Sequence, residues 1–145
     1  MWLYNNKEIN SKEELPIPEA LFGFVYKITD HKNDKFYIGR KNFNTVRKKK
    51  LTQKEMPTDK RLKTFKHVTK EGTWLTYWGS NKPLLEQVAL LGKDSFTREI
   101  IALACTAKAL TILETEHLFL NNVLRSEKSY NDNILGKMFR RDLIN

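Results

Sequence analysis

Two short segments rich in aromatic and β-branched residues, separated by a polar turn, constrain the fold of this chain more than any other feature. Residues 22–28 read Phe-Gly-Phe-Val-Tyr-Lys-Ile and residues 35–39 read Lys-Phe-Tyr-Ile-Gly, with Thr-Asp-His-Lys-Asn-Asp between them. Aromatic and β-branched side chains favour strands, whereas Asn and Asp favour turns. The pattern predicts an antiparallel hairpin in which strand alternation lets Tyr26 and Tyr37 face the same cleft.

The rest of the chain predicts helices and strands around this hairpin. The expected elements are a hairpin at residues 2–9, a helix from about Pro83 to Leu91 closed by Gly92, a third strand at residues 96–103, and a helix from Thr106 to about Leu124. We therefore expect an α+β fold, with a small three-stranded antiparallel sheet flanked by helices and an N-terminal hairpin. No internal repeat or linker divides the sequence, so residues 1–145 are expected to form a single domain.

The net charge of +9 is concentrated in one stretch of the chain. Between Arg40 and Lys70, twelve Lys and Arg residues stand against two acidic ones, Glu55 and Asp59. A local excess of this kind is typical of a surface that binds nucleic-acid phosphates, although a solvated loop gives the same pattern. We predict a basic DNA-binding insertion at about residues 40–72, with one helix near residues 43–50.

The composition also argues against several classes of protein. No apolar run reaches the ~20 residues needed to cross a bilayer, and residues 1–6 lack the basic start and apolar stretch of a secretory signal. The single Cys105 cannot form an internal disulfide, and with three scattered histidines it matches no zinc-site spacing. We therefore expect a cytoplasmic protein with no membrane partner.

Two glutamates on the predicted second helix differ in their position relative to its apolar face. Apolar residues recur there at intervals of three and four and define one apolar face. A helical wheel puts Glu116 on that face and Glu114 toward its edge. A carboxylate among apolar side chains is costly unless it is paired or binds a metal ion, which favours a role for Glu116. Glu114 stays open as the other candidate.

Taken in order, these motifs resemble the GIY-YIG endonuclease superfamily. The first strand carries Phe24-Val25-Tyr26, in which Phe24 stands where Gly is usual, and the second carries Tyr37-Ile38-Gly39. A Gly-Ser pair after an aromatic cluster, Phe-Thr-Arg-Glu-Ile at residues 96–100, and Tyr130-Asn131 follow in the order typical of small phage-encoded members. The resemblance extends over residues 2–131.

The resemblance implies a metal-dependent endonuclease that hydrolyses DNA phosphodiester bonds. Mg²⁺ is the expected cofactor, and Mn²⁺ or another divalent cation is a substitute. DNA is the expected partner, and a homo-oligomer on DNA is one way for a single active site to cut both strands. A phage-encoded enzyme that acts in the cytoplasm of the infected host, in homing or in DNA degradation, fits the resemblance. The alternative is a non-catalytic basic nucleic-acid-binding protein on the same scaffold.

The resemblance also assigns roles to the tyrosines and to one arginine. Tyr26 and Tyr37 are expected to order or activate the attacking water. Arg47 has the family spacing for the arginine that stabilises the phosphate, with Arg40 and Arg61 as its competitors. The planar fork of an arginine suits a phosphate better than the point charge of a lysine does.

Register against the phage-encoded members favours Glu114 as the metal ligand, with Glu116 as the alternative. Lys41 lies close enough to the second strand to reach the same cleft. Gly39 is expected where a side chain would crowd the approaching backbone, and Asn131 is expected to fix the final loop. The residues expected to contact DNA are Arg40, Lys48, Lys49, Lys50, Arg61, Lys63 and Ser80.

Overall fold

The computed structural model describes residues 1–56 and 63–143, apart from the side chains of Arg47 and Lys48. The described strands are β1 (Trp2–Tyr4), β2 (Lys7–Ile9), β3 (Gly23–Asp30), β4 (Lys35–Asn42), β5 (Asn44–Lys50), β6 (Phe65–Glu71), β7 (Phe96–Ala104), β8 (Asn133–Ile134) and β9 (Met138–Phe139). The α-helices are α1 (Lys82–Leu91) and α2 (Ala107–Leu120). Single 3-10 turns occupy Lys12–Glu14, Pro18–Ala20, Trp74–Thr76, Lys93–Ser95 and Arg140–Leu143.

The main sheet has five strands in the order β2-β1-β7-β3-β4. The expected α+β class is confirmed, but the three-stranded sheet was wrong, because the N-terminal hairpin joins the sheet instead of standing apart from it. Strand β1 pairs in parallel with β7, while the other neighbouring strands are antiparallel. The buried Trp2 anchors this hairpin, since its indole Nε1 donates a hydrogen bond of 2.9 Å to the carbonyl of Trp74.

Strand β3 is buried on both faces because each face of the sheet is covered. Phe24, Tyr26 and Ile28 point into an aromatic-rich core beside α1. The intervening Val25 points into a second core under α2, together with Leu110. Because β4 is the last strand of the sheet, side chains from the two faces meet around its free edge.

Helix α2 packs on the sheet through a face different from the one that the sequence pattern predicted. Leu110 and Leu118 are buried, whereas Ile112 and Leu120 are exposed. The spacing of apolar residues predicted the wrong face of α2, because the helix covers only part of the sheet and leaves several apolar residues in solvent. The row of residues 110, 114 and 118, each one turn from the next, faces the protein, so Glu116 lies in solvent and not on the packed face.

The helix predicted near residues 43–50 was wrong, because this segment forms strand β5. It pairs only with β6 and so makes a separate two-stranded antiparallel ribbon, here called the basic ribbon (residues 44–50 and 65–71). Val46 pairs with Thr69 across the ribbon, and β-branched residues of this kind favour strands. No helix within the described ranges is long and apolar enough to cross a membrane.

Candidate active site

The hairpin β3–β4 brings the two motif tyrosines together. Tyr26 pairs with Gly39 and Ile28 pairs with Tyr37, so the tyrosines are diagonal neighbours on one face, with ring centroids 6.1 Å apart. Tyr26 is 1% exposed, whereas Tyr37 is only half-buried. The hydroxyl of Tyr37 is therefore the one of the pair that is better placed to meet a substrate.

Gly39 is needed because the ring of Tyr26 lies across it. A Cβ at Gly39 would stand 2.5 Å from the Tyr26 hydroxyl and 2.7 Å from Cζ of the same ring. Gly79 approaches the same hydroxyl, since a Cβ there would lie 3.2 Å from it, and its φ of +90° suits glycine. Two glycines thus allow the backbone to close around one phenol.

The loop around Gly79 adds two polar groups to the tyrosines. The ring of Tyr77 stands edge-on to the ring of Tyr26, with centroids 6.0 Å apart. The side chain of Ser80 lies beside the hydroxyl of Tyr37. A DNA contact by Ser80 stays a prediction. The predicted site did not include Tyr77, although its place in the aromatic cluster before Gly79 and Ser80 was a usable signal.

Both tyrosines are held in the protonated form. Burial raises the pKa of Tyr26, and the neighbouring Tyr37 and Tyr77 raise it further. Burial also raises the pKa of Tyr37, while hydrogen bonding with Ser80 acts in the opposite direction without cancelling the effect. At neutral pH these phenols therefore act as hydrogen-bond donors and acceptors, and neither is a phenolate base.

Glu114 reaches the site from α2, on the other face of the sheet. Its side chain is 15% exposed, and its Oε1 lies 3.8 Å from Nε of Arg40. Nη1 of Arg40 donates a 2.6 Å hydrogen bond to Thr111, one turn earlier on the helix. Burial raises the pKa of Glu114, and the charge of Arg40 opposes this shift. Glu116 is exposed, so only Glu114 faces the tyrosines.

Asn131 fixes the free edge of β4 beside the tyrosines. Its Oδ1 accepts a hydrogen bond from the Ile38 amide at 3.0 Å, and its Nδ2 donates to the Ile38 carbonyl at 2.8 Å. The side chain of Asn131 thus hydrogen-bonds both backbone groups of Ile38, as a neighbouring strand would. A small polar cavity of about 210 Å³ lies here, lined by residues that include Tyr37, Glu114, Asn131 and Asp132.

The donor set around this cavity fits one hydrated divalent cation. Within residues 1–56 and 63–143, no three His, Cys, Asp or Glu side chains come together as a ready-made metal cage. Glu114 instead offers one hard oxygen ligand that is largely buried and faced by a single, half-exposed arginine. Mg²⁺ commonly binds through one or two carboxylates and keeps its other positions for water and phosphate oxygens.

The remaining expected residues fall into two groups. Lys41 is close to the site, because its Nζ lies 4.3 Å from the ring centroid of Tyr77. Lys49 and Lys50 are exposed on the basic ribbon, and Lys63 is exposed just before β6. Arg47 and Lys48 belong to β5, but their side chains are outside the described part, as is the whole of Arg61.

A buried arginine that the sequence reading passed over supports the loop of Tyr77. The guanidinium of Arg98 stacks between Trp2 and Trp78, at 4.5 and 4.3 Å from their ring centroids. Its Nη1 donates hydrogen bonds to the carbonyls of Leu75 (3.2 Å) and Tyr77 (2.7 Å). Burial lowers the pKa of Arg98 to about 10, so it stays charged at neutral pH. The sequence marked it only as part of the Phe-Thr-Arg-Glu-Ile segment and gave it no role, because its partners are distant aromatics and backbone carbonyls.

Comparison with known proteins identifies the family of the chain. A family model described as "Putative endonuclease segE, GIY-YIG domain" matches residues 2–134, which include every motif discussed above. No curated protein and no solved structure is similar enough to the chain to count as a match. The match takes in both motif strands, the basic ribbon and the helix of Glu114. The chain therefore belongs to the GIY-YIG endonuclease family and resembles its SegE-type members.

Proposed function

We propose that the protein is a divalent-metal-dependent endonuclease that hydrolyses phosphodiester bonds of DNA. The observation that carries the proposal is the convergence of Tyr37, Glu114 and Arg40 at the free edge of β4. This hydrolysis requires a hydroxyl that can order water, a carboxylate that can bind a cation, and an arginine that can neutralise charge on a phosphate.

We propose that Tyr37 hydrogen-bonds the attacking water and that Tyr26 fixes the position of Tyr37. The raised pKa of each phenol means that neither removes a proton as a base at neutral pH. Tyr37 instead orients the water by hydrogen bonding, while Ser80 and Tyr26 restrict the direction of its hydroxyl. The buried Tyr26 is a positioning residue because it does not reach the substrate.

Glu114 is proposed to be the metal ligand, in preference to Glu116. A bound Mg²⁺ or Mn²⁺ would neutralise charge on the phosphate and assist departure of the 3′ oxygen. Arg40 already lies beside Glu114, and its half-exposed guanidinium can form a bidentate contact to the scissile phosphate. We therefore propose Arg40 for the phosphate role that the family spacing gave to Arg47. Lys41 and Tyr77 form the next part of the same surface.

The remaining expectations are retained as parts of this proposal. They are a single domain over residues 1–145, a phage-encoded origin, a role in homing or DNA degradation, and action in the host cytoplasm. Relaxed sequence choice is expected, because contacts made mainly to phosphates give affinity without reading bases.

Plasmid nicking tests the proposal directly. Supercoiled plasmid is incubated with the protein in Mg²⁺, in Mn²⁺ and in EDTA, and nicked and linear products are quantified. Wild type should cut only with the metal. Glu114→Gln and Tyr37→Phe should each lose roughly 10²-fold or more, as expected for loss of a metal ligand or of a group that positions the water.

Glu116→Gln is the matched control for the metal ligand, since the same change is made two residues away on an exposed side chain. It should cut at the wild-type rate. Arg40→Gln and Arg47→Gln decide between the two arginines, and only the first is expected to slow cleavage at saturating DNA. Plasmid that stays intact with wild type and either metal, while the protein binds it, would favour the non-catalytic alternative.

A further inference from the structure

The basic ribbon stands apart from the main sheet. Strands β5 and β6 pair along seven positions, from Asn44 with Glu71 to Lys50 with Phe65, and neither strand pairs with the five-stranded sheet. At about 3.3 Å per residue the ribbon is roughly 23 Å long. The described side chains of the ribbon are mostly exposed, and Val46 is 58% exposed. The ribbon does not bury its side chains in a core, so we attribute its presence to the binding of a partner.

Cations dominate the two strands of the ribbon. The two strands carry Arg47, Lys48, Lys49, Lys50, Lys66 and Lys70 against a single acidic residue, Glu71. Glu55, in the segment after β5, pairs with Lys66. An excess of this kind on two thin strands suits a polyanion, and it suits an apolar protein surface poorly.

The base of the ribbon is fixed firmly to the protein beside the active site. Phe43 is fully buried against Phe24 and Trp74, with ring centroids 5.0 and 5.1 Å apart. The Gly72 amide donates a 2.8 Å hydrogen bond to the Phe43 carbonyl, which closes the base. A side chain at residue 72 would stand 2.9 Å from that carbonyl oxygen. The ribbon therefore leaves the core in a defined direction.

One groove joins the ribbon to the candidate active site. It has a volume of about 780 Å³, and its lining includes Arg40, Lys41 and Tyr77 on the catalytic side and Val46 and Thr69 on the ribbon. Val46 and Thr69 pair across the ribbon and share one of its faces. A polymer held along this face would continue directly past the half-exposed Arg40.

We propose that the basic ribbon inserts into the major groove of B-form duplex DNA and so presents the adjacent backbone to the active site. The inference rests on the proposed function for its substrate and adds the form of that substrate and its mode of binding. A B-DNA major groove, about 12 Å wide, admits a two-stranded ribbon, whereas the minor groove of about 6 Å does not. The deep, narrow major groove of A-form RNA excludes it as well.

Different parts of the ribbon have different tasks in this arrangement. Val46 and Thr69 meet the base edges, where an apolar or methyl-bearing side chain can contact a thymine methyl group. Exposed lysines such as Lys49, Lys50 and Lys70 meet the phosphates on either side. Affinity then comes mainly from phosphates, with a modest preference at the few bases beneath Val46.

Groove-specific competition tests the proposal. The Glu114→Gln variant, which is not expected to cut, is titrated against a labelled duplex of about 30 base pairs, or three helical turns. Methyl green occupies the major groove and netropsin the minor groove. Methyl green should weaken binding at least 10-fold, and netropsin less than 3-fold. The matching single strand and an A-form RNA duplex should each bind at least 10-fold more weakly than the DNA duplex.

Charge reversal on the ribbon provides the matched comparison. Lys49→Glu/Lys50→Glu is compared with Lys7→Glu/Lys32→Glu, which makes the same change of charge at exposed positions away from the ribbon. Lys7 lies on the opposite edge strand of the sheet, and Lys32 lies in the turn at the end of β4 remote from the ribbon. The ribbon pair should lose at least 10-fold in duplex affinity and the control pair less than 3-fold. Circular dichroism checks that both variants fold.

A shortened ribbon removes the insertion itself. Val46 is joined to Thr69 through Asn-Gly, a two-residue turn suited to paired strands. This variant should lose its duplex preference and its sensitivity to methyl green. Three results would each overturn the proposal: displacement of the protein by netropsin alone, equal displacement by both ligands, or equal affinity for single-stranded and duplex DNA. If the wild type does not cut with Mg²⁺ but binds duplex DNA in a way that methyl green weakens, the proposed nuclease activity is refuted. The proposed binding of the ribbon in the major groove is then still supported.

Discussion

Gly39→Ala is the sharpest test of how this site is built. The added Cβ would stand 2.5 Å from Oη and 2.7 Å from Cζ of Tyr26, whereas ordinary contacts are 3.4 to 4 Å. The ring therefore has to move by about 1 Å. It cannot retreat freely, because it is 1% exposed and the backbone at Gly79 approaches it as well. Overpacking of this kind costs about 1–3 kcal/mol, offset by up to ~1 kcal/mol from the loss of glycine flexibility in a strand.

The expected net loss is about 1–2 kcal/mol in the free energy of unfolding, measured by urea titration. Cleavage should fall much further, by roughly 10²-fold, because a displacement of about 1 Å moves the hydroxyls that order the water. Adding Tyr26→Phe to Gly39→Ala removes the atom at 2.5 Å, so part of the lost stability should return without the activity.

Gly92→Ala supplies the control for this prediction. A Cβ at Gly92 meets no other atom within 4 Å, but its φ of +86° and ψ of 152° lie in a region almost restricted to glycine, which imposes a strain of about 1–3 kcal/mol on an L-residue. The two variants should be destabilised to a similar extent, while only Gly39→Ala loses cleavage. If Gly39→Ala cuts plasmid as fast as Gly92→Ala does, the close contact between Gly39 and Tyr26 has no part in catalysis.

Three further predictions concern the groups that support the site. Arg98→Lys should lower the free energy of unfolding by about 2–3 kcal/mol in urea titrations. The reason is that a lysine cannot stack between two indoles while it binds the carbonyl of Tyr77. Unchanged stability would contradict this prediction. Asn131→Asp should destabilise the protein more than Asn10→Asp, the same change at an exposed position, because it removes the donor to the Ile38 carbonyl and buries a charge; equal urea midpoints would refute the edge-pairing role. Burial opposes ionisation of Asp30, but hydrogen bonds from Tyr130 and Asn33 outweigh this effect and lower the pKa of the carboxyl group. The ionised Asp30 therefore stabilises the folded protein above the unfolded-state pKa of about 4, and this stabilisation is lost as the pH falls through the pKa of the folded state. Asp30→Asn should flatten that acid-induced loss in urea titrations below about pH 4, and an unchanged slope would count against it.

The parts of the fold that the sequence predicted are those whose stability is local. The hairpin of Tyr26 and Tyr37 was predictable, because strand-forming residues and a polar turn occur side by side. The turn at Asn5 and Asn6 was also predictable, and both residues have the positive φ expected there. Helix α1 begins as predicted, since Asn81 caps it and Pro83 occupies its first turn.

The parts that could not be predicted depend on distant partners. Lysines in β5 favour a helix locally, and only pairing with β6, well along the chain, makes that segment a strand. The choice between Glu114 and Glu116 depends on which side of α2 meets β4, and the exposed Ile112 and Leu120 obscured this in the sequence. Arg40 was ranked behind Arg47 because spacing along the chain does not show which side chain meets Glu114.

The departure of this chain from the family motif has a physical explanation in the same contacts. Phe24 stands where glycine is usual, and its ring is fully buried among Trp2, Phe43 and Trp74. Phe43 is the last residue before the ribbon, and Trp74 accepts the hydrogen bond that anchors the N-terminal hairpin. One motif position thus contacts both the start of the ribbon and the hairpin that widens the sheet. A glycine at residue 24 would leave a cavity at this junction. We therefore interpret the phenylalanine and the fixed base of the ribbon as one adaptation, in which the motif strand holds the proposed DNA-binding element in a fixed direction relative to Tyr26 and Tyr37.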